Sequence, residues 1–131
     1  MNRSLSVVGR VFLALVFIIS GFGKIAGYSG AQHYMQSAGI PGMLLPLVIL
    51  LELGGGICIA LGLFTRYISI CIALFCLATA AIFHAHFQDQ MQAVSFWKNI
   101  AIAGGFLVLA ANGPGAFSLD HCLRHRQNTM K

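Results

Sequence analysis

Four long apolar runs alternate with shorter polar segments along the chain, at residues 7–25, 44–63, 68–87 and 94–111. Each run approaches the ~20 residues that an α-helix needs to cross a hydrocarbon layer about 30 Å thick. The pattern predicts an all-α integral membrane protein, a four-helix bundle in a single domain over residues 1–131. A signal peptide is the alternative for the first run. That run has no A-x-A-like cleavage site and Lys24 stands at its end, so we predict a retained helix.

The segments between the runs differ in length. Residues 27–43 carry Gly and Pro at both ends, and we predict an extended outer loop there with a short helix at the membrane interface. Only the residues GLFTR at 62–66 separate the second and third runs, which predicts a tight antiparallel hairpin. The fourth run stops at NGPG, residues 112–115, and a polar, basic tail occupies residues 118–131.

Composition agrees with a membrane location. The chain is 58% hydrophobic and 8% charged, whereas soluble domains carry about 25% charged residues. Its net charge of +5 is scattered between apolar runs instead of forming a basic stripe, so we predict no nucleic-acid binding. Three of the four cysteines lie inside apolar runs, where a free thiol behaves as a small hydrophobic side chain.

The distribution of lysine and arginine predicts the orientation, because these residues concentrate on the cytoplasmic side of a membrane. With alternating helices, Lys24 and Lys98 fall on one side. Six basic residues fall on the other, namely Arg3, Arg10, Arg66, Arg124, Arg126 and Lys131. We therefore predict a multi-pass protein of a bacterial inner (plasma) membrane with both termini in the cytoplasm (N-in/C-in) and the 27–43 loop outside.

Glu52 is the residue that most strongly suggests chemistry, because a carboxyl inside a membrane helix costs about 2.5 to 3.5 kcal/mol. It should face the bundle interior, close below polar residues in the outer half of the other helices, namely Lys24, His84, Lys98 and Asn99. Such a cluster could hold a carbonyl, a quinone headgroup or a lipid headgroup. The alternatives are a packing carboxyl for Glu52 and lysines that extend to lipid headgroups.

Two other features have structural interpretations. His84 and His86 are two residues apart and do not share a helix face, so we predict no metal site. Glycines in the second and fourth runs remove side chains and should permit close helix packing, with space for a flat ligand as the alternative. They are Gly54, Gly55, Gly56, Gly104 and Gly105.

Four segments of the sequence resemble the DoxX family of small four-helix membrane proteins. They contain, in order, the elements G-x-x-K at 21–24, E-x-G-G at 52–55, FHAHF at 83–87, and W-K-N at 97–99 followed by G-P-G-A-x-S-x-D at 113–120. Residue by residue, the polar family positions match Lys24, Glu52, His84, Lys98 and Asn99.

The resemblance implies a role in membrane redox systems, since some relatives are associated with quinone-linked oxidation or redox assemblies. Because the sequence has no haem, flavin or iron-sulfur motif, we predict no intrinsic cofactor. The leading hypothesis is a subunit or accessory protein, not itself shown to be an enzyme, that binds a quinone in the lipid bilayer. The partners that this hypothesis allows are oxidoreductase chains and, in a homo-oligomer, further copies of the same chain. The alternatives are a structural membrane protein and a small solute or lipid carrier.

Overall fold

A computed structural model of the chain describes residues 2–84 and 87–131, and this described part contains helices and no strands. A 3-10 turn (Gly42–Leu44) precedes the third α-helix, and a π-helical turn (Leu50–Gly54) follows it. The α-helices are α1 (Asn2–Ala26), α2 (Tyr28–Ser37), α3 (Leu45–Ile49), α4 (Gly55–Leu61), α5 (Thr65–Phe83), α6 (Gln90–Asn112) and α7 (Leu119–Thr129).

Four helical segments are long and apolar enough to cross a membrane: Arg3–Ala26, Gly42–Leu61, Thr65–Phe83 and Gln90–Asn112. Only 17% to 28% of each span is buried inside the protein, so most of its apolar side chains need lipid around them. This confirms the prediction of an all-helical fold for the described residues, with four helical segments that are candidate membrane spans.

The ends of the third and fourth helices differ from the prediction. The third membrane span was expected to reach residue 87, but its helix, α5, ends at Phe83. His84 leaves helical geometry with φ −123° and ψ 15°, and Phe87 lies in a turn. His86, one of the two histidines discussed above, lies outside the described residues. The fourth helix begins earlier than expected, because the Asp89 carboxylate accepts a hydrogen bond from the Met91 backbone N–H at 3.0 Å.

The second span is not the uninterrupted α-helix that its apolar run predicts. It changes from a 3-10 turn through α3 to the π turn and then α4, with Pro46 in the first turn of α3. Hydrophobicity indicates whether a segment can cross the membrane, but it does not indicate which carbonyl oxygen each backbone N–H bonds to. The π turn could therefore not be predicted from the apolar run. Such turns occur frequently at functional sites, and this one contains Glu52.

Close contact between α1 and the second span depends on glycine. A Cβ added at Gly21 would lie 2.8 Å from Cβ and 3.0 Å from the backbone nitrogen of Leu53, in the π turn. A Cβ at Gly56 would lie 3.2 Å from the Ala14 carbonyl oxygen. The backbones can therefore approach closely only because these side chains are absent.

The other glycines predicted to mediate packing behave differently from one another. A Cβ at Gly55 would lie 3.3 Å from Ile72 on α5, and one at Gly105 would lie 3.0 Å from Leu13 on α1. Gly104 has no described heavy atom within 4 Å of such a Cβ, and Gly54 meets only Leu50 of its own span. Close approaches between helices therefore lie at Gly55, Gly56 and Gly105.

The end of the bundle at Arg10 and residues 62–66 and 112–131, called the tail end below, is held together by polar contacts. Arg10 is 4% exposed, and its guanidinium donates to the carbonyl oxygens of Ala60, Pro114 and Phe117 at 3.2, 2.5 and 2.8 Å. The Asp120 carboxylate accepts from the backbone N–H groups of residues 64 and 65, at 2.8 and 2.9 Å. The basic tail is therefore ordered as a helix, α7, whose start is fixed to the hairpin before α5.

Candidate functional site

A cavity of about 400 Å³ lies at the opposite end of the bundle, called the loop end because residues 27–43 lie there. Residues of α1, α2, the second span, α5 and α6 enclose it. Its walls are mainly apolar, with Phe17, Phe75 and Ile102 among them. The polar side chains in its lining are Ser20, Lys24, Tyr34, Glu52, Thr79, His84 and Asn99. A few polar groups in an apolar cavity are typical of small-molecule sites.

The central feature of this cavity is an ion pair between α1 and the π turn. The Lys24 ammonium donates to both Glu52 carboxylate oxygens, at 3.0 Å (Oε1) and 2.9 Å (Oε2). The Glu52 side chain is 5% exposed and that of Lys24 is 29% exposed. The close approach of α1 at Gly21 brings the two residues together, and the pairing offsets the cost of placing each charge inside the membrane.

The hydrogen-bonding capacity of the pair is unevenly used. Lys24 also donates to Ser20 Oγ at 3.0 Å, so the three protons of its ammonium all have partners. The Glu52 carboxylate has about four acceptor positions, and among the described residues only Lys24 donates to it, filling two of them. A ligand that enters without breaking the pair can therefore donate a hydrogen bond to Glu52, whereas it can accept one from Lys24 only by replacing a present partner.

Two polar residues cross-link α5 and α6 at the cavity wall. The Asn99 side-chain amide donates to Thr79 Oγ1 at 3.2 Å, and the Thr79 hydroxyl donates to the Cys76 carbonyl oxygen at 3.0 Å. This arrangement leaves the Asn99 carbonyl oxygen and its second N–H for another partner. Asn99 can thus both donate to and accept from a ligand.

An aromatic contact and a polar contact lie where α5 ends beside the cavity. Tyr34 of α2 stacks on Phe83 at the end of α5, with ring centroids 5.0 Å apart and an angle of 18° between the rings. His84 Nδ1 lies 2.7 Å from Gln92 Oε1 on α6. These contacts connect the short helix α2 and the start of α6 to the end of α5.

The structure brings four of the five predicted site residues to this cavity: Lys24, Glu52, His84 and Asn99. Lys98 is exposed and is not among the lining residues, because neighbouring residues on a helix point about 100° apart and Asn99 is the one turned inward. No three His, Cys, Asp or Glu side chains in the described ranges come together as a metal site would require.

Three polar residues of the site were missed by the sequence reasoning: Ser20, Tyr34 and Thr79. Ser20 could have been found, since it precedes Lys24 by four residues and therefore shares its helix face. Thr79 is a hydroxyl inside an apolar run, which is a weaker signal. Tyr34 gave no such signal, because its approach to Phe83 depends on how the 27–43 segment folds back.

Comparisons with known proteins agree on the kind of protein. The sequence model of the DoxX family matches residues 5–85. Inner membrane protein YqjF of Escherichia coli (strain K12) is 48% identical over 120 residues, covering 92% of each chain. Inner membrane protein YphA of the same strain is 41% identical over 124 residues, covering 88% of each. "Putative oxidoreductase CatD" of Bacillus subtilis (strain 168) is 30% identical over 77 residues, 56% of this chain and 58% of that one. No solved structure matches the chain.

Proposed function

The chain belongs to the DoxX family, and we propose that it is an accessory subunit of a membrane redox system whose loop-end cavity holds a quinone-type headgroup. The observation that carries the proposal is the buried Glu52 carboxylate, which faces an apolar cavity with acceptor positions to spare. Intramembrane ionisable residues mark ligand or proton pathways by default.

The cavity suits a flat carbonyl compound. Its volume of about 400 Å³ is within the ~300 to 1,000 Å³ typical of small-molecule sites. Aromatic and aliphatic walls match a ring, while Glu52 and Asn99 offer hydrogen-bonding groups at the polar edge. A ligand that partitions into lipid would reach the cavity from within the bilayer.

The residues would act by binding and by holding protons. A quinone and quinol couple, when bound, supplies two-electron and two-proton redox chemistry. Glu52 can accept a hydrogen bond from a quinol hydroxyl without losing Lys24, and Asn99 can donate its second N–H to a carbonyl oxygen. Lys24 holds the carboxylate at a fixed place on the π turn. The pair therefore favours the hydroxyl form of a ligand more than the carbonyl form.

The electron donor in this proposal is a separate oxidoreductase chain. The sequence carries no haem, flavin or iron-sulfur motif, and the relative CatD of Bacillus subtilis is named as an oxidoreductase. The excess of basic residues at the tail end supports a cytoplasmic location for both termini, which would open the Lys24 site toward the outer half of the membrane.

The test is binding of a short-chain ubiquinone analogue, oxidised and reduced, to the full-length protein in lipid nanodiscs. We expect saturable binding that prefers the reduced form and weakens at least tenfold in Glu52→Gln and several-fold in Asn99→Leu. Lys98→Met, a lysine outside the cavity, is the matched control and should bind as the wild type does. Unchanged binding in both cavity variants, with helicity intact, would refute the proposal and favour a structural role.

A further inference from the structure

A second cavity, of about 700 Å³, lies at the tail end and is separate from the site described above. It is enclosed by the start of α5, the loop after α6 and one face of α7. Five α7 residues line it, at positions i, i+1, i+3, i+4 and i+7, which is the spacing of a single helix face: Asp120, His121, Leu123, Arg124 and Gln127. The helix thus presents a polar, basic face to the cavity.

The charged side chains that line this cavity are two arginines and one aspartate, so its net charge is positive. Arg66 and Arg124 both line it, and neither forms an ion pair within the described residues, where the pair formed is that of Lys24 and Glu52. Asp120 is the acidic residue of the lining, and both of its oxygens already accept from backbone N–H groups at the start of α5. Two guanidinium groups therefore have donors available for an external anion.

One of these arginines lies against the loop after α6. A Cβ added at Gly113 would lie 3.3 Å from both Nε and Nη2 of Arg66, so the guanidinium rests against this residue. Gly113 itself has φ +81°, a conformation that favours glycine. A side chain at residue 113 would displace the guanidinium. The NGPG stop after α6 thus also provides the surface on which Arg66 lies.

Apolar side chains around the same cavity indicate a lipid and not a soluble anion. Phe64 and Tyr67 on the α5 side are 59% and 76% exposed, and Leu123 on α7 is 48% exposed. A basic amphipathic helix beside a membrane bundle lies in the headgroup layer with its apolar side chains directed into the membrane. The lining offers donors for a phosphate next to apolar surface for acyl chains.

We propose that the tail-end cavity binds the phosphate headgroup of an anionic phospholipid between Arg66 and Arg124. The planar guanidinium fork matches the geometry of a phosphate, and two forks from different elements would clamp it from two sides. The bound lipid would cross-link α7 to the start of α5, next to the hydrogen bonds that Asp120 already makes there. This proposal is independent of the quinone site, which lies at the other end of the bundle.

The test is native mass spectrometry of the full-length protein in detergent, with phosphatidylglycerol and phosphatidylcholine of identical acyl chains as probes. Loss of one basic residue near a lipid surface weakens binding on the order of fivefold. We expect that loss in occupancy by phosphatidylglycerol for Arg66→Gln and for Arg124→Gln, and about 25-fold in the double variant. Arg126→Gln, on the side of α7 away from the cavity, is the matched control and should change binding less than twofold.

Three results would overturn the proposal. Equal weakening by Arg126→Gln would show diffuse charge attraction, equal occupancy by phosphatidylcholine would remove the need for an anionic headgroup, and displacement of the lipid by millimolar inorganic phosphate would indicate a site for free phosphate. Helicity is measured on each variant in the same detergent. Both arginines are exposed, so their replacement should leave the fold unchanged.

Discussion

Breaking the ion pair of Lys24 and Glu52 should have unequal effects depending on which partner is removed. Lys24→Met leaves a carboxylate whose side chain is 5% exposed without its counter-ion. Removing one partner of a buried pair costs about 3 to 5 kcal/mol. Because Lys24 is 29% exposed and the pair is partly screened, we expect the lower end, about 3 kcal/mol.

Glu52→Met should cost less, about 1 to 2 kcal/mol, since the remaining ammonium sits on a flexible stem and can extend to the headgroups. The double variant should lie within about 1 kcal/mol of the wild type, because replacing both partners by apolar side chains leaves no uncompensated charge. The coupling energy of the cycle is then at least about 3 kcal/mol, with the double variant more stable than Lys24→Met alone.

The measurement is unfolding of the purified protein in mixed micelles of increasing SDS content, followed by loss of helicity. Lys98→Met is the matched control, since this lysine is exposed and outside the cavity, and it should shift the free energy of unfolding by less than about 0.5 kcal/mol. If the two single changes add in the double variant, the pair contributes nothing to stability and the electrostatic reasoning is wrong.

Three further predictions concern the rest of the fold. Gly21→Ala should lower the free energy of unfolding by about 1 to 3 kcal/mol in the same SDS titration, because the new Cβ collides with the π turn. Gly23→Ala on the same helix is the control: its Cβ meets no described atom within 4 Å, so it should be neutral or stabilising by up to about 1 kcal/mol. Arg10→Met should lower the free energy of unfolding by about 3 kcal/mol, since three carbonyl oxygens lose a charged donor. Arg3→Met, at an exposed residue, should change it by less than about 0.5 kcal/mol, and equal effects of the two changes would contradict a structural role for Arg10. Cys122 is exposed on α7, outside the spans that hold the other three cysteines, so a membrane-impermeant maleimide should label it in inverted vesicles but not in intact spheroplasts if both termini are cytoplasmic; the reverse pattern would invert the proposed orientation.

Several features followed from the sequence because they depend on local properties. Membrane insertion responds to the hydrophobicity of about 20 consecutive residues, so the four spans could be read from the runs alone. The cost of a carboxyl in hydrocarbon likewise singled out Glu52 before any neighbour was known. Alternating helix direction was enough to place Lys24, His84 and Asn99 near it at the same end of the bundle.

Arg10 illustrates what local reasoning could not reach. It was counted only as a basic residue that marks the cytoplasmic side, yet its guanidinium is buried and holds carbonyl oxygens from two distant segments. Arg10 and Pro114 are 104 residues apart in the sequence and come into contact only when the whole bundle forms. The tail was likewise interpreted as a polar segment. Its helix begins where the Ser118 hydroxyl accepts a hydrogen bond from the His121 N–H and the Asp120 carboxylate accepts from backbone N–H groups at the start of α5.

The four candidate spans and the costly carboxyl within them could be predicted from local sequence, because both depend on transfer free energies of nearby residues. The pairing of Glu52 with Lys24 instead of Lys98, and the position of the carboxyl on a π turn, became apparent only with the helices packed together. Those outcomes depend on helix rotation and on the close approach at Gly21, which are set by packing between segments far apart in the chain.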